Sequence, residues 1–170
     1  TSDAHRSQLY RSPAARHPDM MSSGDDGPID IPFLFHDLEP IPQDDGPTPV
    51  CSINYSFGFK EAMNYFRAVL VANERSERAL KLTTVCLKHN PANYTTWHFR
   101  RECLAALSNP AGSSDGKPKF SPEAVEKDLR LASDMGGSNP KNYQIWYHRR
   151  ALLEPTLLAS SNHSSSSSSS

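Results

Sequence analysis

Two short blocks hold most of the side chains in this chain that could do chemistry. Residues 90–101 read NPANYTTWHFRR, and residues 139–150 read NPKNYQIWYHRR. Asn, Pro, Asn, Tyr, Trp, Arg and Arg coincide at seven of twelve positions, and both tryptophans of the chain lie in the match. Agreement in such scarce residue types, in register, marks an internal helical repeat.

The reactive residue types each suggest a chemistry that spacing and composition then limit. His98 and His148 could ligate zinc, but neither has a second ligand one helical turn away, so this chain is expected to bind no metal. The paired arginines Arg100, Arg101, Arg149 and Arg150 would suit nucleic acid only in a basic chain. Here 18 basic residues meet 19 acidic ones, and a net charge of −1 leaves no footprint for nucleic acid. Cys51, Cys86 and Cys103 are odd in number and irregularly spaced. They read as small apolar core residues in a reducing compartment, which makes the cytoplasm the expected location. No stretch approaches the roughly eighteen apolar residues of a membrane span, and no apolar leader is evident, so neither an integral membrane protein nor a signal peptide is expected.

The repeat block must be positioned by helices. Asn90 and Asn139 are expected to cap them, with Pro91 and Pro140 presetting the first turn. Tyr94, Trp97 and Arg101 are three and then four residues apart, as are Tyr143, Trp146 and Arg150, so each trio shares one helix face. Trp97 and Trp146 are expected to fill the space between stacked hairpins, and Tyr94 to pack. A neighbouring guanidinium would stack on the ring or bond the carbonyls of an adjacent helix end. Upstream, Phe59, Met63, Phe66 and Leu70 predict a helix from about Gly58 to Ala72. Ser76 opens another, with Leu80, Thr83 or Thr84, and Leu87 on its stripe. Ser121-Pro122-Glu123 opens a fourth, striped by Val125, Leu129, Ala132 and Met135 and ended by Gly136-Gly137. Pro155 is expected to terminate the fifth.

Composition divides the chain further. Residues 1–30 are polar with almost no aliphatic residues and predict a disordered N-terminal tail. Residues 31–57, rich in proline, predict an extended lead-in and not a helix, packed through Phe33, Leu34, Phe35, Leu38 and Ile41. The helical repeat domain runs over 58–155, with a loop insertion at 108–121. Residues 156–170 predict a Ser-rich disordered tail.

An Asn-Tyr-x-x-Trp-x-x-Arg-Arg repeat in helical hairpins is similar to that of protein prenyltransferase α subunits. The stretches DLEPIPQDDGPTPVCSINYS at 37–56 and NYFRAVLVANERSERALKL at 64–82 resemble the lead-in and first helices of the farnesyl/geranylgeranyltransferase type I α subunits. The Rab-type α subunit shares the repeats but not this lead-in. The resemblance implies an all-α fold, a right-handed superhelix of helical hairpins wrapped around a β subunit. It implies transfer of a farnesyl or geranylgeranyl group from its diphosphate to the cysteine of a C-terminal CaaX sequence in target proteins. Zinc would sit in the β subunit, magnesium would serve the complex, and this chain would bind no cofactor. Residue by residue, the family's Pro-Lys-Asn-Tyr falls on Lys141 and Tyr143, which the resemblance places at the rim of the site as diphosphate contacts. Lys141 suits that role as a point charge at a helix start, where backbone N–H groups also favour anions. Ala92 stands at the matching position of the first repeat, so packing does not require the lysine.

Two features depart from the family. The blocks begin 49 residues apart, at Asn90 and Asn139, wider than the family's spacing, and the excess falls in the loop at 108–121. No third repeat is legible past Pro155, so the chain reads as an N-terminal, truncated part of such a subunit. The alternative expectation is a non-catalytic helical-repeat interaction module that keeps the scaffold without the activity.

Overall fold

The structure, a computed structural model, describes residues 29–48, 53–111, 118–137 and 139–163, with backbone alone for 156–163. All regular structure among them is helical: α1 Ile31–Leu34, α2 Phe57–Val71, α3 Glu77–His89, α4 Tyr94–Ser108, α5 Pro122–Gly137 and α6 Tyr143–His163. The expected tail at 1–28, Cys51, and residues 112–117 and 164–170 lie outside the described residues.

Local chemistry sets most of these boundaries. Ser56 and Ser76 accept from the amides of Phe59 and Ala79, and Ser121 from that of Ala124, each satisfying a donor orphaned at a helix start. At the end of α2, Asn73 takes a positive φ of 53°. The amides of Asn73 and Glu74 then turn back to the carbonyls of Leu70 and Val69, an asparagine version of the usual glycine stop.

The helices make two stacked hairpins, α3–α4 and α5–α6, with α2 and the lead-in covering the first. Ile31, Phe35, Phe66, Val69, Leu82 and Phe99 form the core of that covered end, where the Phe66 and Phe99 rings meet edge to face at 5.5 Å. Between the hairpins lie two smaller clusters. Leu87, Trp97, Ala132 and Ile145 make one, and Leu104, Val125 and Leu152 the other. Cys86 and Cys103 are buried, and burial pushes their thiols up to about 12 and about 11. They are inert packing groups near neutral pH.

Four expectations need correction. The lead-in is not wholly extended: Asp30 accepts from the amide of Phe33 and Pro32 occupies the first turn, which starts the short helix α1. Asn90 does not cap α4. It ends α3 and folds a turn, its side chain accepting from Ala92, and Asn93 three residues on accepts from Thr96 as the true cap. In the second repeat the Asn139 carbonyl accepts the Asn142 amide, as Asn90 accepts that of Asn93, and Asn142 accepts from Gln144 as the cap. Finally, α6 runs through Pro155 to His163, so residues 156–163 are helix and not tail. A proline lacks one N–H, which deprives only the carbonyl of Ala151, and Leu157, Leu158 and Ala159 beyond it are good helix formers.

The lead-in is clamped, not draped. Ile41 donates its amide to the Asn64 carbonyl at 3.1 Å and accepts from Arg67 Nε at 2.8 Å. Arg78 grips Asp37 with both terminal nitrogens, at 2.5 and 2.8 Å, and also bonds Glu74 and the Leu34 carbonyl. Its guanidinium lies 4.8 Å from the Phe35 ring centroid. This fixes the polypeptide entering the repeats against their first helix.

Candidate functional site

The chemistry-bearing residues gather where α6 begins. The turn Asn139-Pro140-Lys141-Asn142 closes with the Asn142 amide bonded to the Asn139 carbonyl at 3.1 Å. Lys141 is exposed, Tyr143 opens α6 with 72% of its surface exposed, and Asn142 between them is buried at 7%. Lys141 and Tyr143 therefore share the mouth of one helix N-terminus, where unpaired amides add partial positive charge. Tyr143 stacks toward Tyr147 one turn along, with centroids 6.5 Å apart. Arg101 of the first hairpin lies 5.1 Å over the Tyr147 ring.

Asn142 ties this turn to its counterpart. Its Nδ2 donates to the Pro91 carbonyl at 2.8 Å, and the same carbonyl accepts the indole N–H of Trp97 at 2.8 Å. Trp146 repeats the local half of the pattern, donating to the Pro140 carbonyl at 2.9 Å. The motif thus reads physically as a turn whose proline carbonyl is held by the tryptophan of the helix it introduces.

The expected burial holds for one tryptophan only. Trp97 is fully buried and lies 4.4 Å from the His148 ring, whereas Trp146 is 55% exposed with Arg149 over its face. Tyr94, expected to pack, is 69% exposed. The Tyr94 result follows from helix phase: a residue three positions from the buried Trp97 lies about 60° away and falls outside a narrow buried stripe.

A buried ionic cluster, unforeseen from the sequence, locks the hairpins between their two apolar clusters. Arg100 is 4% exposed, and its Nε bonds both oxygens of Asp128 at 2.9 and 3.0 Å while Nη2 pairs with Oδ1. Its Nη1 reaches the Leu80 carbonyl, Thr83 and Thr84. His148 Nε2 lies 2.7 Å from Asp128 Oδ2, and its Nδ1 faces Arg101 Nη1 at 3.3 Å. Since Arg101 can only donate, Nδ1 accepts and the proton sits on Nε2, so the imidazole is neutral. Burial pushes the His148 pKa down, helped by the two arginines and opposed by Asp128. For Asp128, burial alone would raise the pKa, but the His148 hydrogen bond and the Arg100 charge outweigh it and hold it below the usual range. One signal could have found this cluster. Asp128 lies on the α5 stripe between Val125 and Ala132, and a carboxylate inside an apolar stripe implies a buried partner.

Elsewhere, a cleft of about 470 Å³ beside α5 is lined by Glu123, Glu126, Lys127, Arg130 and Asp134. Alternating acid and base give it no preference for an anion. Among the described residues, no three or more His, Cys, Asp or Glu side chains converge to hold a metal, and no helix is long and apolar enough to cross a membrane.

The hairpins match a known repeat. Residues 76–107 and 125–155 fit the description "Protein prenyltransferase alpha subunit repeat", one match per hairpin. Over those residues the chain is similar to that family. Over 81 residues it is 54% identical to the protein farnesyltransferase/geranylgeranyltransferase type-1 subunit alpha of Solanum lycopersicum, covering 45% of this chain and 23% of that one. The protein of the same name from Dictyostelium discoideum is 46% identical over 91 residues, covering 51% and 28%. Among solved structures, Candida albicans protein geranylgeranyltransferase-I, complexed with GGPP, superposes with a TM-score of 0.60 at 25% identity. That match covers 75% of this chain and 38% of the other. The prenyltransferase α resemblance and the all-helical repeat fold expected from the sequence are both borne out. The chain spans about a quarter of the length of the curated relatives it matches.

Proposed function

We propose that this chain supplies α-subunit repeats to a heterodimeric CaaX protein prenyltransferase of the cytoplasm. Its partner is a farnesyl- or geranylgeranyltransferase type I β subunit, and the reaction moves the isoprenoid from its diphosphate to a C-terminal cysteine. The observation that carries the reading is the exposed Lys141–Tyr143 pair at the start of α6, within a repeat whose first copy has alanine at the lysine position. In this reading Lys141 places a cation beside the departing diphosphate, where charge grows in the transition state. Tyr143 offers a phenolic O–H to the same anion. Zinc belongs to the β subunit and magnesium to the complex; the side chains described here supply binding and orientation.

Co-expression with a farnesyltransferase β subunit, size exclusion and a prenyl-transfer assay test the proposal. Co-elution with transfer is expected, and Lys141→Ala should slow transfer by about 10²-fold while the two chains still elute together. Unchanged turnover in the assembled variant would reject the lysine's role. A second reading, an interaction module without activity, is favoured by the open face of Tyr143, Trp146 and Tyr147. Co-elution without transfer would select it.

A further inference from the structure

We infer that Asn142 is a positioning residue, one that sets the place of the Lys141–Tyr143 pair by tying the second repeat's turn to the first. The inference rests on the proposed role of that pair. Asn142 is the buried member of an otherwise exposed turn. Its two amide atoms do different work. Oδ1 accepts from the Gln144 amide at 3.0 Å, a cap that any asparagine at a helix start could make. Nδ2 crosses to the Pro91 carbonyl at 2.8 Å, 51 residues away in sequence. That second bond registers one repeat's turn on the next.

The acceptor is itself immobilised. The fully buried Trp97 donates its indole N–H to the same Pro91 carbonyl and is held in turn by the Ile145 cluster and the His148 ring. Asn142 therefore ties the turn that carries Lys141 to a carbonyl that a fully buried tryptophan also holds. Without the tie, Lys141 stands on an exposed turn held only by bonds within its own repeat: the Asn142 amide to the Asn139 carbonyl, the Asn139 amide to the Gly136 carbonyl and the Trp146 indole to the Pro140 carbonyl. A cation meant to meet a growing charge loses its advantage when displaced by about an ångström. The first repeat provides a comparison. Asn93 also caps its helix, accepting from the Thr96 amide three residues on at 3.1 Å, but it stands beside Ala92 and serves no charged neighbour.

Asn142→Asp separates the two bonds. Aspartate keeps the cap and suits the helix N-terminus, but it has no donor for the Pro91 carbonyl and sets a negative oxygen against it. The variant is made in the complex with a farnesyltransferase β subunit, alongside Lys141→Ala, the double variant and Asn93→Asp. Asn142→Asp should lower kcat by about tenfold at an assay temperature where the complex is still assembled and folded, although the lost bond lowers Tm, and Asn93→Asp should leave kcat, assembly and Tm unchanged. The double variant should be no slower than Lys141→Ala alone, because Asn142 acts through the lysine. Additive losses, or a loss explained by a lower Tm, would overturn the inference while leaving the lysine's role standing. No effect of Lys141→Ala would overturn the functional reading and the inference with it. Independently of the β subunit, exchange of the residue-142 amide, bonded to the Asn139 carbonyl, should rise in the free chain in Asn142→Asp while 145–152 stay protected. Unchanged exchange there would overturn the tie itself.

Discussion

The two repeats write nearly the same words and meet different fates. In both, the tryptophan indole bonds the proline carbonyl six residues back, at 2.8 and 2.9 Å. Yet Trp97 is sealed and Trp146 is 55% exposed. The difference teaches that the motif encodes a turn locally, whereas burial is conferred by the hairpin that stacks upon it. The first repeat has such a neighbour in α5–α6, which brings Ile145, His148, Asn142 and Asp128. Among the described residues, nothing plays that part for Trp146.

The sharpest way to break the comparison is at the ionic cluster that seats one repeat on the other. Asp128→Ala should cost about 3–5 kcal/mol in a denaturant melt, because Arg100 would remain buried without its counter-charge. A loss below about 1 kcal/mol would mean that the hairpins are held by their apolar clusters alone. The tryptophans come next. Trp97→Phe should cost about 2 kcal/mol through lost packing and a lost indole bond, whereas Trp146→Phe, on the open face, should cost under about 0.5 kcal/mol. Equal costs would refute the asymmetry. Acrylamide offers an independent check, since it should quench the emission of Trp146 and spare that of Trp97.

Much of this was legible beforehand, because helix stripes, serine caps and turn residues act at short range. The α5 pattern of cap, first-turn proline, stripe and double glycine gave an element whose ends the structure reproduces. The repeat pointed to stacked hairpins and, through its resemblance, to the family. What escaped were properties that depend on distant neighbours or on competing local options. Sequence alone puts the caps three residues early because Asn90 and Asn93 are both asparagines in a turn, and only hydrogen bonding distinguishes them. Repetition of sequence gives Trp146 and Tyr94 the packing role of Trp97, since it does not reveal which face a neighbour covers. Arg100, Asp128 and His148 belong to three different helices, and no short-range pattern unites them. The assignments of Lys141 and Tyr143 came from resemblance, and the fold adds only that both are exposed at one helix start.

A smaller effect should appear with pH, again at the seat between repeats. The charged groups facing His148 are Asp128 from α5 and Arg100 and Arg101 from α4. Its pKa in the folded chain lies below the unfolded value of 6.5, so the unfolded chain takes up the proton first. Stability carried by the neutral imidazole is present above that value and is lost as pH falls through it toward the folded pKa. Asp128, also held low, adds a second loss as pH falls below 3.8. Urea midpoints should therefore decline from pH 7 to pH 5, and His148→Gln should flatten that decline. A decline equally steep in the variant would assign it to other groups.

The smallest effect is expected where the repeats differ by one exposed side chain. Ala92 and Lys141 occupy matching places, each one residue before the asparagine that caps its helix, and both face solvent. Ala92→Lys should change stability by less than about 0.5 kcal/mol, since nothing is displaced. Its value lies in combination. Added to Lys141→Ala in the assembled complex, Ala92→Lys restores the net charge and presents a lysine on the same motif, one repeat away. If the role of Lys141 depends on place, turnover should stay at the Lys141→Ala level. Recovery would mean that a general positive field near the mouth suffices, and the two turns would then be interchangeable. The exposed position and the small size of alanine make this a clean exchange: the fold is indifferent to it, so any change in rate reports on the site.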